Sequence, residues 1–163
     1  MEEDVKAACN ILLTQINAKL NNTTTSSEVP PTTTLRTNTI IAKGDSGATS
    51  HFIRAADQEC LHNLKEQAGA PVTLPDKDII LPTHTGTLQL STHLSDKAQQ
   101  TTVLPGLKSS SLVSLGQLCD DDCRVMLTKD HLFAVKNNQV ILHGTRNPHN
   151  GLWDIPLPKL QSN

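Results

Sequence analysis

Short aliphatic runs separated by turn residues occupy most of the chain from residue 40 to residue 157. The runs are rich in Val, Ile, Leu and Thr, the residue types that favour strands. They are Ile40–Ile41, Val72–Leu74, Ile79–Leu81, Thr87–Leu90, Thr101–Leu104, Val125–Leu127, Leu132–Val135 and Val140–Leu142. Turn pairs such as Pro75-Asp76, Pro105-Gly106 and His143-Gly144 divide them. The pattern predicts a mainly β, mostly antiparallel domain with short helical pieces near 55–66 and 112–119.

The aliphatic character extends to the whole composition. Aromatic residues make up only 2% of the 163 residues, with two Phe, one Trp and no Tyr. Proteins that bind single-stranded nucleic acid stack bases on aromatic rings, and three aromatic residues cannot build such a surface. The formal net charge is -2, and Lys and Arg are scattered along the chain. We therefore expect no direct nucleic-acid binding.

Targeting signals are not evident in the sequence. No stretch approaches the roughly 20 apolar residues of a membrane-spanning helix. The first residues, Met1-Glu2-Glu3-Asp4, are acidic, whereas a secretory signal begins with basic residues. Four irregularly spaced cysteines favour free thiols in a reducing compartment. We expect an intracellular protein, in the cytoplasm or enclosed in a particle, without a membrane partner.

The first 39 residues differ from the rest. In residues 1–20, apolar residues recur at three- and four-residue steps without Pro or Gly, which predicts a short amphipathic helix. Its single apolar stripe indicates docking on its own or a neighbouring subunit. Eight of the nineteen residues 21–39 are Thr, and two are Pro, so this segment is interpreted as a linker. Residues 40–157 form the predicted domain and residues 158–163 a tail.

The run from Gly44 to His51, with the sequence Gly-Asp-Ser-Gly-Ala-Thr-Ser-His, is the one that suggests chemistry. A serine nucleophile at Ser46 would fit the Gly-Asp-Ser-Gly pattern of chymotrypsin-like proteases. In that family the catalytic His and Asp precede the Ser, but no His occurs here before His51. Only 45 residues precede Ser46, too few for the two barrels of that fold. The serine interpretation is therefore rejected.

Asp45 is the alternative catalytic group. Aspartic proteases pair two carboxylates that share one proton, because like charges about 3 Å apart cannot both ionise at low cost. One carboxylate activates water, and the protonated one donates to the scissile carbonyl. Ser46 is small enough to hydrogen-bond across a pair of loops, and Gly47 lets a backbone N–H hold the anion. Ala48 leaves room for substrate.

Three segments in a fixed order carry a family resemblance. The segment from Asp45 to Phe52, Asp-Ser-Gly-Ala-Thr-Ser-His-Phe, closely resembles the active-site segment of copia-type retrotransposon proteases. Residues 103–118 resemble the family's segment of a hydrophobic residue, Pro, Gly and Leu that leads into a short helix. Gly144-Thr145-Arg146 and residues 151–155 resemble its closing segment, before integrase. The resemblance covers about residues 40–157.

This resemblance implies a retropepsin-like acid protease barrel, with one lobe and one catalytic Asp per chain. Similar proteins act as homodimers that cleave Gag-Pol polyproteins in virus-like particles. The sequence has a single Asp-Ser-Gly and no Asp-Thr-Gly, so activity requires Asp45 from each of two subunits. We expect an aspartic endopeptidase without a cofactor or metal. The alternative is a catalytically inactive structural or dimerisation segment of a polyprotein.

A retropepsin-like enzyme also needs a flap, a hairpin that closes over the substrate. The first candidate has its turn at Asp76-Lys77, and Gly86 marks a second candidate for backbone contact with substrate. One departure from the family is Lys43, because a cation two residues before a buried carboxylate pair is unfavourable unless it points outward. The lack of a Gly-rich flap is another. Both departures favour the inactive alternative.

Two cysteines and two histidines in the C-terminal part of the chain are candidate zinc ligands. Cys119 and Cys123, together with His131 and His143, match no common zinc spacing. The acidic run Asp120–Asp122 between the cysteines is typical of a solvated turn. We therefore interpret this segment as a turn with free thiols and expect no metal.

Overall fold

The computed structural model describes Thr14 and residues 39–160. The strands are β1 (Thr39–Asp45), β2 (His51–Arg54), β3 (His62–Glu66), β4 (Val72–Thr73), β5 (Ile79–Ile80), β6 (His84–Thr87), β7 (Gln100–Leu104), β8 (Leu112–Ser114), β9 (Arg124–Leu127), β10 (His131–Lys136), β11 (Gln139–Arg146) and β12 (Trp153–Pro158). A 3-10 helix spans Ala55–Cys60, and the short helices are α1 (Asp96–Gln99) and α2 (Leu115–Cys119). The predicted N-terminal helix and linker lie outside the described residues, apart from Thr14, which is helical, and Thr39.

Ten of these strands form one mixed sheet in the order β3-β6-β7-β2-β8-β1-β12-β11-β10-β9, while β4 and β5 form a separate hairpin. The mainly β prediction is confirmed. Most neighbouring strands are antiparallel, but β1 pairs with β8 and β2 pairs with β7 in parallel. Over residues 39–160 the sheet is open, with β3 and β9 at its edges, so it does not form the closed barrel that the sequence analysis expected.

The core is aliphatic, as the composition requires. In β1 the buried Ile40 and Ala42 alternate with exposed or half-buried residues, which is the period of a strand with one face on the core. β10 differs because it is covered on both faces. Its Leu132 and Ala134 belong to the main core, whereas Phe133 and Val135 form a second cluster with Met126 and Val140.

Two helical predictions were wrong over part of their length. The 3-10 helix ends at Cys60, and the residues that follow form β3 instead of continuing the helix to residue 66. Likewise Leu112–Ser114 is strand, and only Leu115–Cys119 is helical. Strand β2 was not predicted either, because its four residues carry no clear alternation in sequence. These segments become strands through pairing with distant neighbours, a tertiary effect that local propensity does not contain.

A partly buried ion pair lies beside Ser111, the residue before β8. Arg54 donates from Nε and from its NH2 group to the two carboxylate oxygens of Asp57, at 2.8 and 2.9 Å. The hydroxyl of Ser111, which is fully buried, donates to Asp57 Oδ2 at 2.6 Å and accepts from the Arg54 backbone N–H. Burial raises the pKa of Asp57, but the hydrogen bonds from Arg54 and Ser111 outweigh it, and the net pKa is lowered.

The described part of the chain contains no helix that is long and apolar enough to cross a membrane.

Gly144 in β11 lies where the backbone of β12 approaches closely. A Cβ built on Gly144 would be 2.7 Å from the Asp154 carbonyl oxygen and 3.2 Å from Ile155 Cγ1. Because backbone cannot rotate away, Gly144→Ala is expected to lower the free energy of unfolding by about 1–3 kcal/mol. Urea denaturation measures this change.

Gly116→Ala is the matched control for that substitution. A Cβ at Gly116, in α2, would meet only Ser114 Oγ, at 3.8 Å. The change is expected to leave stability unchanged or to raise it by up to about 1 kcal/mol, because Ala favours helix over Gly. Equal stability of the wild type and Gly144→Ala would contradict the tight approach of β12.

Candidate active site

Asp45 is the last residue of β1, at the point where the chain leaves the sheet. β1 pairs in parallel with β8, placing Asp45 opposite Ser114. β8 also pairs with β2 on its other side, with Phe52 opposite Leu112. Residues 46–50 therefore connect β1 to β2, which lie on either side of β8. Both ends of this loop are thus fixed to β8. A side chain on so constrained a loop is held in one position.

Asp45 is half-buried as a residue, and its carboxylate is held by the loop itself. The Gly47 backbone N–H donates to Asp45 Oδ1 at 2.7 Å, the hydrogen bond that the sequence analysis predicted. A Cβ on Gly47 would lie 3.3 Å from the same oxygen, so glycine permits this close approach. Ser46 is exposed beside the carboxylate.

Ala48 does not line an open surface. It is 9% exposed, and its carbonyl oxygen accepts a 2.6 Å hydrogen bond from the buried hydroxyl of Ser114. In the described chain, the small size of Ala48 lets the loop pack on β8. The role expected of Ala48 from the sequence, to leave room for substrate, remains a prediction about the dimer.

His51, the last residue of the Gly44–His51 run, is a positioning residue that sequence reasoning missed. Its ring is fully buried and is bonded at both nitrogens. Nδ1 accepts from the Ser114 backbone N–H at 2.9 Å, so the proton lies on Nε2, which donates to the Ala98 carbonyl at 2.8 Å. Desolvation by burial lowers the pKa of His51. A neutral His51 therefore connects the loop, β8 and α1.

Gln117 also holds the loop in place, through hydrogen bonds to the backbone of His51 and Gln100. Its Oε1 accepts from the His51 backbone N–H at 2.9 Å, and its Nε2 donates to the Gln100 carbonyl at 2.8 Å. The Gln117 backbone N–H donates to Ser114 Oγ at 3.1 Å. Residues 114–117 thus support the Asp45 loop through polar side chains. The only sequence signal was the position of these residues inside the recognised segments.

Lys43 does not approach Asp45 as an uncompensated charge. On an alternating strand it lies on the same face as Asp45, but its ammonium group forms an ion pair with Asp154 of β12. Asn147 Nδ2 donates to the other Asp154 oxygen at 3.0 Å. Lys43, which is unfavourable beside a buried carboxylate pair unless it points outward, is therefore compensated within the sheet by Asp154.

Gly44, between Lys43 and Asp45, packs against the core. A Cβ at Gly44 would lie 2.8 Å from Leu132 Cδ1 and 3.3 Å from Ile155 Cδ1. The absence of a side chain lets β10 and β12 pack directly beneath the strand that carries Asp45. This observation gives a physical reason for the glycine that precedes the candidate catalytic residue.

The hairpin predicted around Asp76-Lys77 is present as β4 and β5. Lys77 has a φ of 71°, and Asp76 Oδ1 accepts from the Asp78 backbone N–H at 3.2 Å, so the turn is tight. Ile79 beside it is 67% exposed. The side chain of Ile80 covers Gly106, where a Cβ would be 3.1 Å from Ile80 Cδ1. The hairpin therefore rests on the turn that leads toward β8.

Gly86 lies in a different element from this hairpin. It is buried in β6, between β3 and β7, opposite Thr101. A Cβ at Gly86 would lie 3.1 Å from the His62 carbonyl oxygen, so the glycine accommodates the irregular β3 edge. The structure thus separates the two flap candidates. Their roles in substrate binding remain predictions.

Two cavities share Lys97 and Gln100, and only the first of them is lined by residues of the 46–50 loop. The first, about 230 Å³, is lined by residues that include Thr49, Ser50 and Gln117. The second, about 660 Å³, runs along β3 and β6 and includes Gly86. Asp45 lines neither cavity. A single chain therefore offers an anchored carboxylate on an open surface.

The cysteines and histidines considered for zinc are not gathered into one site. Cys119 is exposed, whereas Cys123 is buried, and desolvation raises the pKa of its thiol. His131 and His143 contact each other. Within the described residues, no group of three or more His, Cys, Asp or Glu side chains is placed to hold a metal.

Asp121 has a structural role that the solvated-turn interpretation missed. Its carboxylate accepts from Lys136 Nζ at 2.7 Å and from the Ser95 hydroxyl at 2.6 Å, and Ser95 caps α1. These bonds lower the pKa of Asp121 to about 2, with Lys136 the largest cause. The acidic run therefore ties α1 to β10 beside the first cavity.

Asp121→Asn is expected to lower the free energy of unfolding at pH 7 by about 1–2 kcal/mol, because it removes a charge-assisted anchor. A carboxyl whose folded pKa is about 2 stabilises the fold above its unfolded value near 4 and loses that effect as the pH falls toward 2. The difference between variant and wild type should therefore shrink from pH 7 to pH 3 in urea denaturation. Asp120→Asn is the control, and an equal loss in both variants would contradict the assignment.

Comparison of the chain with protein-family models, with curated proteins and with solved structures finds no match.

Proposed function

We propose that residues 40–157 form an aspartic endopeptidase domain of a copia-type retrotransposon polyprotein, active as a homodimer with one Asp45 from each subunit. The observation that carries the proposal is the placement of Asp45. It ends a central strand, on a loop fixed at both ends to β8, with one carboxylate oxygen held by the Gly47 N–H at 2.7 Å. The retropepsin-like character of the fold belongs to the same proposal and rests on the three resembling segments.

The proposed chemistry needs two carboxylates at one site. In the dimer, one Asp45 is ionised and takes a proton from water, and the other is protonated and donates to the carbonyl of the scissile bond. The water oxygen adds to the carbonyl carbon, and the resulting tetrahedral species collapses with transfer of a proton to the leaving amine. No cofactor is needed for these steps.

Charge near Asp45 supports proton sharing. An unpaired cation beside the two carboxylates would favour the doubly ionised state, in which no acid is left to protonate the substrate. Lys43 is the nearest cation along the strand, and its ion pair with Asp154 compensates its charge. Asp45 can then share a proton with the Asp45 carboxylate of the second subunit.

The substrate and location follow from the same resemblance. We propose that the substrate is the Gag-Pol polyprotein that contains this segment, and that cleavage takes place in the cytoplasm or in a virus-like particle. The β4–β5 hairpin is the proposed flap, since it is a separate, tightly turned element with exposed apolar residues beside the turn. Asp76 and Lys77 form its tip.

The test is cleavage by the purified chain. Mass spectrometry should detect cleavage of the chain itself or of peptides from the flanking polyprotein, faster at mildly acid pH than at pH 8, and blocked by pepstatin-like inhibitors. Asp45→Asn should cleave nothing. Equal cleavage by the wild type and Asp45→Asn, without an effect of inhibitor, would contradict the proposal.

The second candidate is an inactive segment that holds polyprotein subunits together. One observation favours it: Asp45 lines neither of the two cavities described above. Sedimentation combined with the cleavage assay separates the two candidates. A stable dimer that never cleaves at any pH would favour the structural role, whereas a chain that is monomeric at high micromolar concentration would exclude the carboxylate pair.

A further inference from the structure

Two histidines face each other across neighbouring strands of the C-terminal part of the sheet. His131 begins β10, and His143 lies in β11 opposite Phe133, two positions further along the ladder. The Nδ1 atom of His131 and the Nε2 atom of His143 are 3.0 Å apart. His143 is exposed and His131 is half-buried. The strand register therefore brings two imidazole nitrogens together at the surface.

The aromatic ring of Phe133 stacks on both imidazole rings. Phe133 is 6% exposed, and its ring stacks on His143, with centroids 5.0 Å apart and an interplanar angle of 8°. The His131 ring stacks on Phe133 at 5.6 Å. Because Phe133 is fixed by the cluster it forms with Val135, both imidazoles lose little additional freedom when they bind a ligand together.

The nitrogen separation fits a metal ion. Imidazole nitrogens bind first-row divalent metals at about 2.0–2.1 Å, so a 3.0 Å separation corresponds to a nitrogen–metal–nitrogen angle of about 95°. This angle is close to the 90° between neighbouring ligands in square-planar or tetragonal geometry, and well below the roughly 109° of tetrahedral zinc. Imidazole with water oxygens in tetragonal geometry is typical of Cu²⁺ and Ni²⁺.

We propose that His131 and His143 form a bidentate surface site for a divalent transition-metal ion of the Cu²⁺ and Ni²⁺ class, with water in the remaining positions. The metal replaces the hydrogen bond between the rings. In the hydrogen bond one of the two facing nitrogens carries the proton, so that ring changes tautomer on binding: it releases this proton to water and takes another on its far nitrogen. In the complex His131 binds through Nδ1 with its proton on Nε2, and His143 binds through Nε2 with its proton on Nδ1. Two neutral rings therefore bind the ion with no net loss of protons.

Some ring movement accompanies binding. The metal lies about 1.4 Å off the line joining the two nitrogens, by the same bond lengths. Each ring must then turn out of the hydrogen bond, and the exposed side of His143 allows it. This inference is independent of the proposed protease activity. It differs from the expectation of no metal. That expectation rested on the spacing of Cys and His in the sequence, which does not show how the β10–β11 register brings His131 and His143 together.

The test is titration of the tag-free full chain with Ni²⁺ alone, followed by calorimetry, because Ni²⁺ does not oxidise the free thiols. One ion per chain should bind in the micromolar range. His131→Asn and His143→Asn should each weaken binding at least tenfold while the circular dichroism spectrum stays unchanged. Cu²⁺ should bind more tightly than both Ni²⁺ and Zn²⁺, as the general order of divalent metals requires.

His149→Asn is the matched control, since His149 is an exposed histidine in the loop between β11 and β12. It should bind Ni²⁺ like the wild type. A loss smaller than tenfold in either His131→Asn or His143→Asn would overturn the proposal, as would an equal loss in His149→Asn. An electron paramagnetic resonance spectrum of the Cu²⁺ complex without two equatorial nitrogens would also overturn it.

Discussion

An Asp45→Asn variant is expected to lose at least about 1000-fold of the proposed endopeptidase activity while folding like the wild type and forming the proposed dimer. Asn has the size of Asp and can still accept from the Gly47 N–H at the 2.7 Å position that the carboxylate occupies. It can neither take a proton from water nor share one with its twin. The rate of cleavage of a polyprotein linker peptide, followed by mass spectrometry, measures the loss.

Asp130→Asn serves as the control for this substitution, because Asp130 is an exposed acid in the turn before β10. It should cleave the peptide at the wild-type rate. If Asp45→Asn retains more than about one tenth of the wild-type activity, the catalytic group lies elsewhere, and the role of the Asp45 loop must be revised.

The second large effect is expected from His51→Phe, which should lower the free energy of unfolding by about 2–4 kcal/mol at pH 7. Phe fills a similar volume but leaves the buried Ser114 N–H and Ala98 carbonyl without the partners they have at 2.9 and 2.8 Å. Urea denaturation measures the change. His93→Phe, at an exposed position, should change stability by less than about 0.5 kcal/mol.

The same variant tests the protonation state of His51. Burial lowers its pKa in the folded chain, so between the ordinary value near 6.5 and the lower folded value the unfolded chain binds more protons. Wild-type stability should therefore fall as the pH drops below 6.5. The stability difference between wild type and His51→Phe should narrow from pH 7 to pH 5. A constant difference would mean that the pKa of His51 is the same in the folded and the unfolded chain, and would contradict its lowering by burial.

This pH dependence bears on the proposed enzyme. Proton sharing between two Asp45 carboxylates favours acid conditions, whereas a neutral His51 beneath the loop favours pH values above its folded pKa. The two requirements overlap only at mildly acid pH. We therefore expect an activity optimum there, with loss of the folded loop limiting the rate at lower pH.

Local features of the sequence predicted a substantial part of the site. The Asp45-Ser46-Gly47 turn and the hairpin at Asp76-Lys77 are short-range structures, fixed by glycine, by turn residues and by a backbone amide two residues away. Strand alternation in β1 likewise follows from its own residues. These interactions span few residues, so the sequence pattern contains them.

The missing part consists of contacts between distant residues. Lys43 meets Asp154 across 111 residues, and His51 meets Ser114 across 63 residues. The periodicity of either segment does not specify which distant group will pair with Lys43 or hydrogen-bond to His51. The same reason explains why Leu112–Ser114 was expected to be helical: three residues carry little intrinsic preference, and pairing with β1 and β2 decides their conformation.

The paired use of Asp45 is tested most directly by mixing wild-type chains with Asp45→Asn chains at a fixed total concentration and measuring cleavage. If each active site needs one carboxylate from each subunit, activity falls with the square of the wild-type fraction, to about one quarter in an equal mixture that has exchanged subunits. Sedimentation confirms that the mixed chains are dimeric. A linear fall, to about one half, would show that each chain cleaves by itself and would contradict the shared carboxylate pair.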